Sequence, residues 1–212
     1  MKLTVFGASG RVGVEVVRQA LDAGHRVAAV IRDRAALDVT HPALDVVRVP
    51  GLTDPDALLP ALAGSDAVLS GIGPRGRRDG PIAGPATQEI LDAMKATGVR
   101  RLVAVSAMPL GPIPPDDSWL NRRVAVPLLR RFLRAVYADL AVMEDEIRRD
   151  APEWTVVRPP RLVDKPVTGV YRIAIGANVS RGTTISRADT AHAMLALLDN
   201  PAAAGQPVGV AY

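Results

Sequence analysis

The chain contains no cysteine, and that one absence removes disulfides, thiolate metal sites and thiol catalysis from consideration. Aromatic residues are nearly as scarce, with two Trp, three Tyr and two Phe among 212 residues. Since 48% of residues are nevertheless hydrophobic, the core must be built from Val, Leu, Ile and Ala, as parallel strands buried on both faces require. Lysine is rare too, three against 23 arginines, and the net charge is only +4. So small an excess argues for local phosphate contacts rather than for nucleic acid. No apolar run approaches membrane-spanning length, and no leader pattern precedes the first strand-like run. These readings predict a cytoplasmic protein with a small-molecule partner and with no nucleic-acid or membrane partner. They leave monomer against dimer open.

What is present starts with Gly7-Ala8-Ser9-Gly10-Arg11-Val12-Gly13, directly after the apolar run Leu3 to Phe6. Three glycines at this spacing suit a sharp exit from a strand, close approach of main chain to a diphosphate, and tight packing of the next helix. Context supports the reading. Val12, Val16, Val17, Ala20 and Leu21 recur at helical spacing, Gly24 ends the helix, and Val27 to Ile31 reads as the next strand. Further strands are expected at Asp45 to Val49, Ala67 to Leu69, Leu102 to Val105 and Trp154 to Val157. Helices are expected between them, one from an Asp54 cap with Pro55 first to about Leu62, another from about Ala86 to Ala96 before Gly98. The alternation predicts an α/β fold, a Rossmann-type doubly wound, mainly parallel sheet in a single domain. Substrate-side loops are placed around 71–85, 107–135 and 159–184. In the helical stretch after Trp119, interrupted by Pro127, Leu128, Phe132, Leu133 and Val136 are expected to face inward with the arginines solvated or paired, a membrane-surface or anionic-substrate role being the alternative. Ser186-Arg187-Ala188-Asp189 reads as a structural capping box.

Cofactor choice is set at the tip of the second strand, where an acidic residue suits NAD and arginine suits the 2′-phosphate of NADP. Arg32 stands there, with Arg34 and Arg11 as helpers and Asp33 as the argument for NAD. The cofactor expected is NADP(H), with NAD(H) as the alternative. At the end of the fifth strand, Ser106 is placed to meet nicotinamide or substrate. The Tyr-x-x-x-Lys pair that would transfer a proton is missing, because Ala141 stands four residues after Tyr137. His25, His41 and His192 have no ligand spacing, so no metal is expected.

Together with Val30 to Asp33, Met94 to Val99, Val105-Ser106-Ala107 and the segment Trp154 to Leu162 followed by Asp164, Pro166 and Thr168 to Tyr171, the glycine loop resembles the atypical short-chain dehydrogenases/reductases that bind NAD(P)H. It is most similar to the biliverdin-IXβ reductase/flavin reductase branch, with NmrA-like proteins as more distant relatives. The resemblance implies Gly7, Ala8, Ser9, Gly10, Arg11, Val12 and Gly13 at the dinucleotide, Arg32 at the 2′-phosphate, and Gly71, Ile72 and Gly73 as a turn beside the cofactor. It also implies Ser106 near the nicotinamide and Pro159-Pro160 closing over it. Two departures stand out. Pro50-Gly51 replaces the usual Gly-Asp, and Arg161 occupies the place of a histidine, so it cannot act as a general acid. Ser106 and Arg161 are the candidate catalytic residues of an NADPH-dependent reductase of a flavin, quinone or similar planar acceptor. The alternative is a non-catalytic NAD(P)H-binding sensor.

Overall fold

A computed structural model describes residues 1–74 and 80–212. The sheet-forming and helical segments alternate as β1 (Lys2–Phe6), α1 (Gly13–Asp22), β2 (Arg26–Arg32), β3 (Leu44–Val49), α2 (Leu59–Leu62), β4 (Ala67–Ser70), α3 (Ala83–Thr97) and β5 (Arg101–Val105). There follow α4 (Val126–Phe132), α5 (Arg134–Asp150), β6 (Glu153–Arg158), β7 (Arg161–Val163), β8 (Arg172–Ile175), β9 (Thr184–Ser186), α6 (Arg187–Ala196) and β10 (Gln206–Ala211). Eight strands form one sheet in the order β3-β2-β1-β4-β5-β6-β10-β8. All pair in parallel except β8, which runs antiparallel to β10. This is the Rossmann-like α/β fold read from the sequence. β7 and β9 form a separate two-stranded parallel sheet.

Both faces of the sheet are covered, which is why its inner strands read as unbroken apolar runs. Leu3 and Val5 pack with Val16, Val17, Leu21, Ile185 and Met194 under α1 and α6. Phe6, on the opposite face, packs with Leu58, Ile90, Met94, Met143 and Ile147 under α2, α3 and α5.

Local differences from the sequence reading have physical causes. Asp54 caps only an Asx-type turn, accepting the Asp56 N–H at 3.0 Å, and the chain passes through one tight turn over Asp56–Leu58 before α2. α3 begins three residues earlier than expected because Asp139 of α5 accepts the N–H groups of Ile82, Ala83 and Gly84 at 2.8–2.9 Å. That carboxylate supplies the cap the local sequence lacks. The inward face expected after Trp119 is a correction: Leu128 and Phe132 are exposed, and Leu133 and Val136 are half-buried. The buried face is carried instead by Val126, Leu140, Met143 and Ile147. No helix among the described residues is long and apolar enough to cross a membrane.

Candidate functional site

The glycines do two different jobs. Gly7 has φ +69, and a Cβ on it would lie 2.9 Å from the Gly71 carbonyl carbon. A Cβ on Gly13 would lie 2.1 Å from the Gly7 oxygen. Gly71 donates its N–H to Phe6 O at 3.0 Å. The β1–α1 turn and the turn after β4 therefore interlock through backbone, and Ile72 is buried behind them. Gly10 is less constrained by the fold: its Cβ would meet Gly7 O at 3.0 Å, and its own N–H bonds that oxygen at 2.8 Å. α1 starts at Gly13 with Val12 before it and no side-chain cap. The uncapped N–H groups of a helix start are the donors a diphosphate takes, so the cradle fits a dinucleotide. Ala8 is buried, Ser9 half-buried, and Gly73 has open space where a side chain would be.

The tip of β2 exposes Arg32, Asp33 and Arg34 together. None of the three side chains has a hydrogen bond or ion pair among the described residues. The turn beneath them is fastened by a residue the sequence reading missed. Arg48 of β3 donates from Nη1 to the carbonyls of Asp33 at 2.9 Å and Ala35 at 3.1 Å. Arg11 does not join this group; it reaches Asp164 at 3.4 Å, beside Arg187, which holds the same carboxylate at 2.6 Å. These residues line a shallow cavity of about 360 Å³ with Glu15, Lys165 and Val167.

At the carboxyl ends of β5 and β6, Ser106 is only 9% exposed. Its N–H bonds Val157 O at 2.8 Å and its hydroxyl donates to Glu144 Oε1 at 2.7 Å. Glu144, on α5, also receives Arg158 Nε at 3.0 Å, a second Arg158 donor and Arg148. Sequence reasoning missed Glu144 and Arg158 because they lie 14 residues apart on different elements. Pro159 is buried, and its carbonyl accepts the Met108 N–H at 2.8 Å, tying the Pro159-Pro160 turn to the loop after Ser106. Arg161, at the start of β7, is exposed and makes no ion pair among the described residues. Part of the expected 71–85 loop, residues 75–79, lies outside the described residues. Tyr137 is half-buried; burial pushes its phenol up, which nearby Arg130 only partly offsets, and this makes it a weaker acid than a free phenol.

A second polar cluster supports the 159–184 segment. Ser186 caps α6 by accepting the Asp189 N–H at 2.8 Å, as the capping-box reading expects. The Asp189 carboxylate, however, serves Thr168 and Gly169 N–H groups at 2.7 and 2.9 Å and the Tyr212 hydroxyl at 2.6 Å. Burial works against its charge, yet the donors from Tyr212, Thr168 and Gly169 outweigh it and hold the carboxyl at about 2. Tyr171 bonds His192 Nδ1 at 2.7 Å, and burial with the nearby Asp189 charge pushes its phenol up to about 12.

The model of a family described as NAD(P)H-binding matches residues 7–201, from the first glycine of the cradle to beyond α6. The chain belongs to this NAD(P)H-binding family. The UPF0659 protein C216.03 of Schizosaccharomyces pombe is 28% identical to this chain, over 92% of this chain and 84% of its own. A short-chain dehydrogenase/reductase of Veillonella parvula in complex with NADP superposes with a TM-score of 0.79 at 17% identity, covering 100% of this chain and 94% of that one. ChuY, an anaerobillin reductase from Escherichia coli O157:H7, gives 0.77 at 21% identity over 100% and 97%. At such identities the two structures establish the shared fold. An NAD(P)H-binding Rossmann fold is thus the common ground.

Proposed function

We propose that this family member is an NADPH-dependent reductase of a planar conjugated acceptor, a flavin or a quinone. The observation that carries the reading is the exposed Arg32 and Arg34 at the β2 tip, unpaired among the described residues, with Arg48 fastening the turn below them. A guanidinium without a protein partner is available for charge-assisted hydrogen bonds to a 2′-phosphate. The glycine cradle and the start of α1 hold the diphosphate. Bound NADPH supplies the hydride, from C4 of its nicotinamide. Ser106, its proton committed to Glu144, keeps an oxygen lone pair for orienting the ring rather than a proton to give. Arg161 stands exposed at the acceptor side, where its permanent charge stabilises the negative charge that hydride leaves on a flavin or quinone. Such an acceptor takes its proton from water, which removes the need for the missing Tyr-Lys pair. The V. parvula complex and the reductase named for E. coli support the same direction.

The commitment of Ser106 to Glu144 and the weakened acidity of Tyr137 favour one second reading, a non-catalytic NAD(P)H sensor. Steady-state oxidation of NADPH and NADH with FMN, riboflavin and menadione separates the two. Turnover faster with NADPH is the expected result; tight NADPH binding with negligible turnover on every acceptor selects the sensor.

A further inference from the structure

The exposed face of the 119–132 helix has a use that does not depend on the cofactor reading. From Trp119 to Ala138 the chain carries five arginines and no acidic residue, more positive charge than the net +4 of the whole protein. Leu120, Val124 and Leu128 lie four apart and are 61%, 44% and 63% exposed, and Phe132 continues the row. Four residues overshoot an α-helical turn by about 40°. The wider turn over Asn121–Ala125, where the Val126 N–H reaches back five residues to the Asn121 carbonyl, lags instead, so the two drifts offset and the row stays in line. Arg123 and Arg131 each stand three residues after Leu120 and Leu128, flanking the row on one side. Trp119, 71% exposed, sits at its start.

The arginines divide by function. Arg130 donates to Pro109 O and Gly111 O at 2.7 and 3.0 Å, and Arg122 to Pro115 O at 2.7 Å, which fixes the helix on the loop after β5. Arg123, Arg131 and Arg134 make no hydrogen bond or ion pair among the described residues. An apolar row rimmed by unpaired guanidiniums matches an anionic bilayer surface, whose acyl boundary takes the row and whose headgroups take the rim. A nucleic acid would leave Leu120 and Leu128 uncovered. We propose that this face docks the protein reversibly on anionic lipid. The expectation of no membrane partner rested on the lack of a membrane-spanning apolar run, which a surface-docking helix does not need, and the structure turns Leu128 and Phe132 outward.

The test is sedimentation with phosphatidylglycerol-rich and with pure phosphatidylcholine vesicles. The proposal expects salt-sensitive binding to the first only. Arg123→Ala/Arg131→Ala should lower partitioning about thirtyfold, from about 1 kcal/mol per arginine near such a surface. Leu120→Glu/Leu128→Glu should abolish it, with thermal unfolding of both variants unchanged. Equal binding to both vesicle types, no binding of folded wild-type protein at low salt, or wild-type binding by the Leu120→Glu/Leu128→Glu variant overturns it. So does lipid-free self-association relieved by that variant, which would give the face to a second copy of the chain.

Discussion

Arg32 and Arg158 each end a strand of the same sheet, at the edge where ligands bind in such folds, and they have opposite fates. Arg158 is 5% exposed and clamped by Glu144, while Arg32 lies in solvent without a partner among the described residues. Burying a guanidinium requires a carboxylate of matched geometry, and once matched the pair is committed to holding structure. The exposed arginine makes no such commitment among the described residues, which leaves its donors available for the 2′-phosphate contact proposed above. Residue type and strand position are therefore insufficient to mark a candidate binding arginine; the absence of a partner among the described residues is what distinguishes Arg32 from Arg158.

The strongest way to break this contrast is Glu144→Ala. Removing the carboxylate leaves Arg158 buried and uncompensated, which should cost about 3–5 kcal/mol in urea unfolding. Replacing both partners by apolar residues, as in Glu144→Leu/Arg158→Met, should cost less than the single change. A loss under about 1 kcal/mol for Glu144→Ala would mean the pair is not the clamp described.

Arg32→Ala should do the reverse, leaving unfolding unchanged while reducing the preference for NADPH over NADH by about one to two decades, or 1.5–3 kcal/mol. Isothermal titration with both cofactors measures it. An unchanged preference would move the phosphate contact to Arg34 or dismiss it.

Ser106 sits between the two extremes, bonded to the clamp and next to the proposed nicotinamide position. If it only orients the ring, Ser106→Ala should slow NADPH oxidation less than about tenfold, within a single hydrogen bond's worth. A far larger loss, with KM unchanged, would make it a proton relay through Glu144.

A further difference shows only in acid. Asp189 is held at about 2 against an ordinary carboxyl value of 3.8, so its ionised form is favoured by folding. Its contribution is complete above about pH 4 and is lost as pH falls through about 2. Asp189→Asn should flatten this part of the stability profile between those limits, as followed by circular dichroism at graded pH.

β1, β2, β4, β5 and β6 were legible because parallel strands buried on both faces have continuous apolar runs, and the half-exposed edge strand β3 was marked by Val46, Val47 and Val49. β7, β8 and β9 were not. They are three or four residues long, and β8 is mostly exposed, so neither a run nor an alternation marks them. β10 was hidden by Pro207 and Gly209; the latter is required because a Cβ there would lie 2.6 Å from Ala177 O. The face of the helix before α5 was misread because periodicity reports that apolar residues share a side, not whether anything covers that side.

By itself the sequence determined the succession of β1 to β6 along the chain, the glycine turn after β1 and the candidate arginine at the β2 tip, because each is marked within a short span of chain. Only the tertiary structure decided that Ser106 is tied to Glu144 and Arg158, that Arg11 turns to Asp164, that Asp189 supports Thr168 and Tyr212, and that Leu120 and Leu128 face water. Those outcomes depend on which distant side chain arrives at a given point, and pairing, burial and the charge that survives at a surface are properties of that meeting rather than of either segment.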